Sequence, residues 1–243
     1  MPPTGDDVFA PVIAKLRRLS PIDDEDAAAV RALPFQVEKA RTGSYLVREG
    51  EEINSCCLLL TGYACRSKLT REGRRQIVSF HLPGDVLDLQ HLLLARADHN
   101  VQTITDATFV RVPVGAMRDV ALGRRNVGAA LWRDTLVDAS IVREWVLNVG
   151  QRDGRARVAH LLCEFAVRRS AAGLGDPDRF QLPMTQEQIA DATGMTPIHV
   201  NRMLAVLGAE GVISRNRRDV MITDWARIRR IADFDSAYLH EAA

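Results

Sequence analysis

Met184-Thr185-Gln186-Glu187-Gln188-Ile189-Ala190-Asp191-Ala192-Thr193-Gly194 is followed by Met195-Thr196-Pro197-Ile198-His199-Val200-Asn201-Arg202. The first piece reads as a short helix: Thr185 is an N-cap residue type, and Gln188 three positions on completes a capping box. Ile189 and Ala190 face inward, and the small Ala190 lets a second helix cross closely. Gly194 supplies the positive φ that turns the chain within a few residues. Thr196 and Pro197 open the next helix as N-cap and first helical residue. Val200, Met203, Leu204 and Leu207 form its buried side, and Gly211 stops it at C′. Val212-Ile213-Ser214 and Val220-Met221-Ile222 then alternate as two strands around Arg215-Asn216-Arg217-Arg218-Asp219, a hairpin with three guanidiniums at its tip.

Two crossed helices and a basic hairpin make a winged helix-turn-helix, which places the N-terminal half of its second helix in the DNA major groove. That half presents Thr196, Ile198, His199, Asn201 and Arg202 as base-reading candidates. Arg202 suits a bidentate contact to guanine O6 and N7, or else a surface ion pair with Glu210 or Asp191. Arg215, Arg217 and Arg218 sit where phosphates would run, and guanidinium forks match phosphate oxygens.

Moving toward the N-terminus, the loop Ala171–Asp178 holds Gly173, Gly175 and Pro177, and Arg155–Arg169 is an amphipathic helix. Gly150–Gly154 reads as a hinge. From Asn126 to about Val149, Leu131, Leu136, Ala139, Val142, Val146 and Val149 recur near heptad spacing, with Trp132 and Trp145 beside them. Such a stripe packs on its own domain or forms a self-complementary two-helix seam; two-fold pairing favours the seam. Before it, Phe35–Lys39, Tyr45–Arg48, Cys56–Leu60, Ala64–Leu69, Gln76–His81, Val101–Thr105 and Thr108–Val112 are separated by turn residues, and a short helix, Val114–Ala121, follows. Regular short strands of this kind indicate a β-sandwich or barrel. Arg71-Glu72-Gly73-Arg74 is a hairpin tip and Pro83-Gly84-Asp85 a turn. Val8–Leu19 is helical, and Ser20-Pro21 reads as the cap of a second helix running to Leu33. The expectation is an α+β chain: a β jelly-roll sensor (1–125), a long dimerisation helix (126–150) and a winged helix-turn-helix domain (151–243).

The chain's 243 residues favour two domains. Thirty-two basic and 31 acidic side chains nearly cancel, so a DNA footprint must be local. Met1–Asp7 lacks the pattern of a secretory leader and no apolar run is long enough to span a bilayer, so a cytoplasmic protein without a membrane partner is expected. Cys56 and Cys57, adjacent on a strand, point to opposite faces. They suit neither a mutual disulfide nor a metal clip, and with Cys65 and Cys163 are read as buried thiols; a redox or metal sensor is the alternative.

These parts in this order resemble the Crp/Fnr superfamily of bacterial transcription regulators over nearly the whole chain. The matching motifs are Tyr45-Leu46-Val47-Arg48-Glu49-Gly50-Glu51, Leu59-Leu60-Thr61-Gly62-Tyr63, Leu82-Pro83-Gly84-Asp85 and Met184–Ile213. The resemblance implies a homodimer joined through the long helix, a palindromic duplex operator, contact with RNA polymerase and a small-molecule effector in the β-domain. It aligns Arg202 with the family's base-reading arginine and Gln186 with a phosphate or base-edge contact. Ile198 replaces an acidic residue of the best-known members and cannot accept from cytosine N4, so the operator should differ there.

The effector pocket would be lined by Val86, Asp88, Leu89, Gln90, Asn100 and Val101. In place of the ribose-binding Gly-Glu-Leu run of the family's cyclic-AMP receptors, the region after Pro83-Gly84-Asp85 reads Val86-Leu87-Asp88-Leu89-Gln90, and the phosphate position, near Asn100-Val101, has no arginine. Burying a phosphate without a cation or amide nest is costly, which disfavours cyclic AMP in the usual mode. The N-terminal cysteine cluster of oxygen-sensing members is missing, and His81, His91 and His99 are read as surface or core residues, with no metal site. An enzymatic cupin reading on the same β-fold fails for want of a His-x-His metal motif. The remaining alternative to a DNA-binding regulator is a sensor acting through protein contacts.

Overall fold

The computed structural model describes residues 8–240; Met1–Asp7, read above for a leader, lie outside them. The chain forms two compact units, one of residues up to Lys68 with Phe80–Asp138, the other of Leu69–Ser79 with residues from Ala139 on.

The first unit opens with helices α1 (Ala10–Leu19) and α2 (Asp24–Arg31). The N-cap of α2 is Asp23 and not Ser20: its carboxylate accepts from the Asp26 amide while the Asp26 carboxylate accepts from that of Asp23. A reciprocal box satisfies two amides that Ser20-Pro21 could not both reach. Seven strands follow at the places their turns announce: β1 (Gln36–Ala40), β2 (Tyr45–Val47), β3 (Ser55–Thr61), β4 (Ala64–Leu69), β5 (Arg75–His81), β6 (Asn100–Thr103) and β7 (Ala107–Pro113). They make antiparallel sheets of order β1-β7-β3 and β2-β6-β4-β5, a jelly-roll-like sandwich.

Strand β3 is apolar and buried from Cys56 to Leu60 because both its faces are covered there. Cys56, Leu58 and Leu60 pack with α1, α2 and the helix α3 (Val114–Gly123). Cys57 and Leu59 point the other way, onto Leu46, Leu87, Val101 and Phe109. The turn after β5 needs a glycine twice over: Gly84 has φ +96°, and a Cβ there would meet the Pro11 carbonyl oxygen at 2.8 Å.

A single helix, α4 (Arg125–Gln151), leads into the second unit, whose axis is α5 (Gly154–Ala171). Residues Val158 to Ala166 of α5 are buried without exception, as expected of a helix enclosed on all sides. Around it lie β8 (Arg179–Gln181), α6 (Gln186–Thr193), α7 (Pro197–Ala209), β9 (Ile213–Asn216), β10 (Asp219–Ile222) and α8 (Trp225–Ala232). The expected hinge is a break of two residues, Arg152-Asp153, with the Asp153 carboxylate capping α5.

A polar cluster locks this joint. Glu164 Oε2 accepts from Trp145 Nε1 at 2.9 Å and from the Tyr238 hydroxyl at 2.8 Å. Arg152 Nη2 donates to Glu144 and to the Asp233 carbonyl, and His160 stacks on Tyr238. Burial, helped by Arg152, drives the His160 imidazole down to a pKa of about 3. Its contribution to stability is therefore complete above the unfolded value of about 6.5 and is lost as pH falls below it. Between pH 7.5 and 5.5, urea titration should show about 1.4 kcal/mol more loss for the wild type than for His160→Gln; equal losses would refute this assignment.

Candidate nucleic-acid interface

The helix-turn-helix forms where the capping residues place it. The Thr185 hydroxyl accepts from the Gln188 amide and the Gln188 side chain accepts from that of Thr185. Gly194 closes α6 at φ +66°, and the Thr196 hydroxyl accepts from the His199 amide to open α7 behind Pro197. Val200, Leu204 and Leu207 are buried, which turns the opposite face of α7 outward.

On that face Thr196, Ile198, Asn201 and Arg202 are exposed. Neither Asp191 nor Glu210 forms an ion pair with Arg202. Asp191 is held by Arg75 of the β4–β5 hairpin at 2.7 Å, and Glu210 by Arg155 at 2.7 Å and Arg227 at 3.9 Å. The Gln186 carboxamide donates to Asn201 Oδ1 at 3.0 Å, so the two polar candidates on successive helices are already joined. His199 is the exception among the five: it is only half exposed, and a Cβ on Gly154 would come within 2.9 Å of its Nε2. Its ring is turned toward the start of α5, away from the outward face.

The wing pairs Asp219 with Asn216, leaving Arg217 and Arg218 at the turn. Arg217 takes φ +54°, and the Arg215 Nε donates to its carbonyl. Arg215, Arg217 and Arg218 all have exposed side chains. A third strand, β8, adds to β10 with Met221 opposite Arg179 and brings a further exposed cation beside the wing. Sequence reasoning missed it because three residues with one buried side chain, Phe180, carry no readable period.

In the β-domain, all six residues expected to line a pocket have partners within the fold. Val86 belongs to one apolar core and Val101 to the other, with Leu89 packed against the first, and Asn100 Oδ1 accepts from the Glu49 amide. Asp88 is fully buried; its Oδ1 accepts from the Cys57 amide, while Oδ2 lies 3.8 Å from His91 Nδ1 without a hydrogen bond. Gln90 meets His99, whose other nitrogen meets Asp98.

A cyclic phosphate does not fit here. The nearby guanidinium of Arg66 is committed to Asp138 at 2.7 Å and to the Leu87 carbonyl at 3.0 Å, and the buried Asp88 carboxylate would repel an anion. His81, His91 and His99 are buried, and no group of three or more metal-ligating side chains occurs among the described residues. All four cysteines are buried. Burial raises the thiols of Cys56 and Cys57 and pushes Cys163 up to about 12, the opposite of what a reactive thiolate requires.

The long helix corrects one expected seam residue. Leu131 is 3% exposed and belongs to the β-domain core with Val127 and Ala130. The free stripe is instead Trp132 (69% exposed), Leu136 (54%), Val142 (36%) and Val146 (69%), with Ala139 half-buried between them. Trp145 turns inward to Glu164. Among the described residues no helix is long and apolar enough to cross a membrane.

Residues 156–231 match the family model of the Crp-like helix-turn-helix domain, and residues 37–123 that of the cyclic nucleotide-binding domain. The chain is 30% identical to the transcriptional activator protein FnrL of Cereibacter sphaeroides over 88% of its own length and 87% of that protein's. It is 27% identical to the nitrogen fixation regulation protein FixK of Azorhizobium caulinodans, covering 84% of this chain and 82% of the relative. Among solved structures, FixK2 of Bradyrhizobium japonicum superposes with a TM-score of 0.75 at 26% identity, over 82% of this chain and 98% of that one.

Proposed function

Because this chain belongs to the Crp/Fnr family of transcription regulators, which are not enzymes, we propose that it binds a palindromic operator as a homodimer and activates transcription. The observation that carries this reading is Arg202: an exposed guanidinium without an ion pair among the described residues, on the outward half of α7, beside a wing with three more. Thr196, Ile198 and Asn201 share the reading face, Gln186 braces Asn201, and Arg215, Arg217 and Arg218 hold phosphates. Activation is supported by the activator function named for the FnrL relative, and it implies contact with RNA polymerase in the cytoplasm. The exposed Trp132–Val146 stripe joins two copies. Their α7 helices then enter successive major grooves about 34 Å apart. A signal in the β-domain, other than cyclic AMP in its usual mode, shifts the packing of the paired α4 helices about the Arg152-Asp153 break.

Selection of bound duplexes from random DNA tests this: an inverted repeat with one turn between half-site centres is the expected product. Enrichment of no symmetric sequence would refute it. The wing gives a separate check. Arg217→Ala should weaken all sequences alike and lower the slope of log K against log salt by about one per protomer. A sequence-dependent loss would mean that Arg217 reads bases.

A further inference from the structure

Ile198 is 84% exposed, the most exposed of the large apolar side chains among the described residues. It stands on the reading face of α7, four residues before Arg202, so the two side chains lie on one stripe, about 6 Å apart along the helix axis. Nothing in its own domain covers it, since the buried side of α7 is formed by Val200, Leu204 and Leu207. A polar residue here would exchange hydrogen bonds with base edges. Isoleucine has none to offer and gains only by meeting another apolar group. The major groove presents one such group on its base edges, the C5-methyl of thymine.

We infer that Ile198 is a specificity-determining residue that packs on a thymine methyl one or two base steps from the guanine read by Arg202. The spacing follows from about 6 Å on the helix against about 3.4 Å per base step. The inference rests on the proposed operator-binding function and adds to it the identity of a second base in each half-site. The neighbours on the face support the division of labour. Asn201 is drawn toward Gln186 and His199 toward Gly154, leaving Ile198 and Arg202 as the two side chains on this stripe that are free to reach down.

The test uses the full-length protein and its selected operator, with each symmetric thymine pair replaced in turn by deoxyuridine, which removes only the methyl. One pair, within two steps of the guanine that Arg202→Ala ceases to distinguish, should lose about fourfold in affinity per half-site, or about fifteenfold overall. The Ile198→Ala protein should be indifferent to that substitution while keeping its guanine preference. Ile198→Glu should transfer the preference at that position from thymine to cytosine, whose N4 amine donates to a carboxylate. The inference is overturned if no thymine lies within two steps of the guanine. It is equally overturned if the wild type binds the palindrome and no deoxyuridine pair couples to Ile198. Failure of the wild type to bind any palindrome would instead refute the proposed function.

Discussion

Arg202→Ala is expected to abolish discrimination at one symmetric base pair and leave the protein as stable as before. Each bidentate arginine–guanine contact contributes about 1–3 kcal/mol of discrimination, and a palindrome is read twice, so the operator should lose about 2–6 kcal/mol relative to non-specific DNA. The expectation is unusually clean for an arginine. Its two possible intramolecular partners are engaged elsewhere, Asp191 by Arg75 and Glu210 by Arg155 and Arg227, so truncation strands no carboxylate in the protein. Exposed positions without such partners ordinarily move stability by less than about 0.5 kcal/mol. Arg202→Lys keeps the charge without the fork and should recover affinity for DNA in general but not the guanine preference. Fluorescence anisotropy with the operator, a version changed at that one pair and an unrelated duplex separates these cases. Equal weakening on all three duplexes would move Arg202 from base reading to phosphate contact.

Much of this architecture is legible in the sequence where a local cause sets the structure. Thr185 with Gln188, Gly194, and Thr196 with Pro197 each act through hydrogen bonds or backbone angles within a few residues, and each forms as its residue type requires. The strands of the β-domain are equally readable because turn residues bound them, whereas β8 is not. What escapes is whatever depends on distant partners. Ser20-Pro21 and Asp23 both have the chemistry of a helix start, and Asp26, three residues on, decides for Asp23. Leu131 and Trp132 are adjacent on α4, and a heptad count accepts either; the β-domain core takes Leu131. The release of Arg202 rests on Arg75, 116 residues before its partner Asp191, and no local pattern carries that pairing. The β-domain interior is illegible for the same reason: Asp88 meets the Cys57 amide, 31 residues away, only through the fold.

The stripe on α4 leads to the second large effect. Trp132 and Val146 are each 69% exposed, an arrangement that a solitary helix would not gain from and a second copy would cover. A charge at such a seam must be desolvated without a partner, which costs several kcal/mol per ion. Trp132→Glu with Val146→Glu should therefore turn the proposed dimer into a monomer at micromolar concentration, as read by sedimentation equilibrium. Because two tethered readers gain about 10²–10⁴ in avidity over one, operator affinity should fall by a comparable factor, while the monomer still unfolds cooperatively, at a midpoint lowered by the lost coupling to dimerisation and no longer dependent on protein concentration. Leu131→Ala provides the contrast. Its side chain fills the β-domain core, so the substitution should cost about 2–5 kcal/mol of stability and leave dimerisation unchanged. The two variants thus show opposite phenotypes from two faces of one helix. If the double glutamate variant stays dimeric, the copies meet through another surface; if Leu131→Ala alone dissociates them, the seam runs where the heptad count first put it.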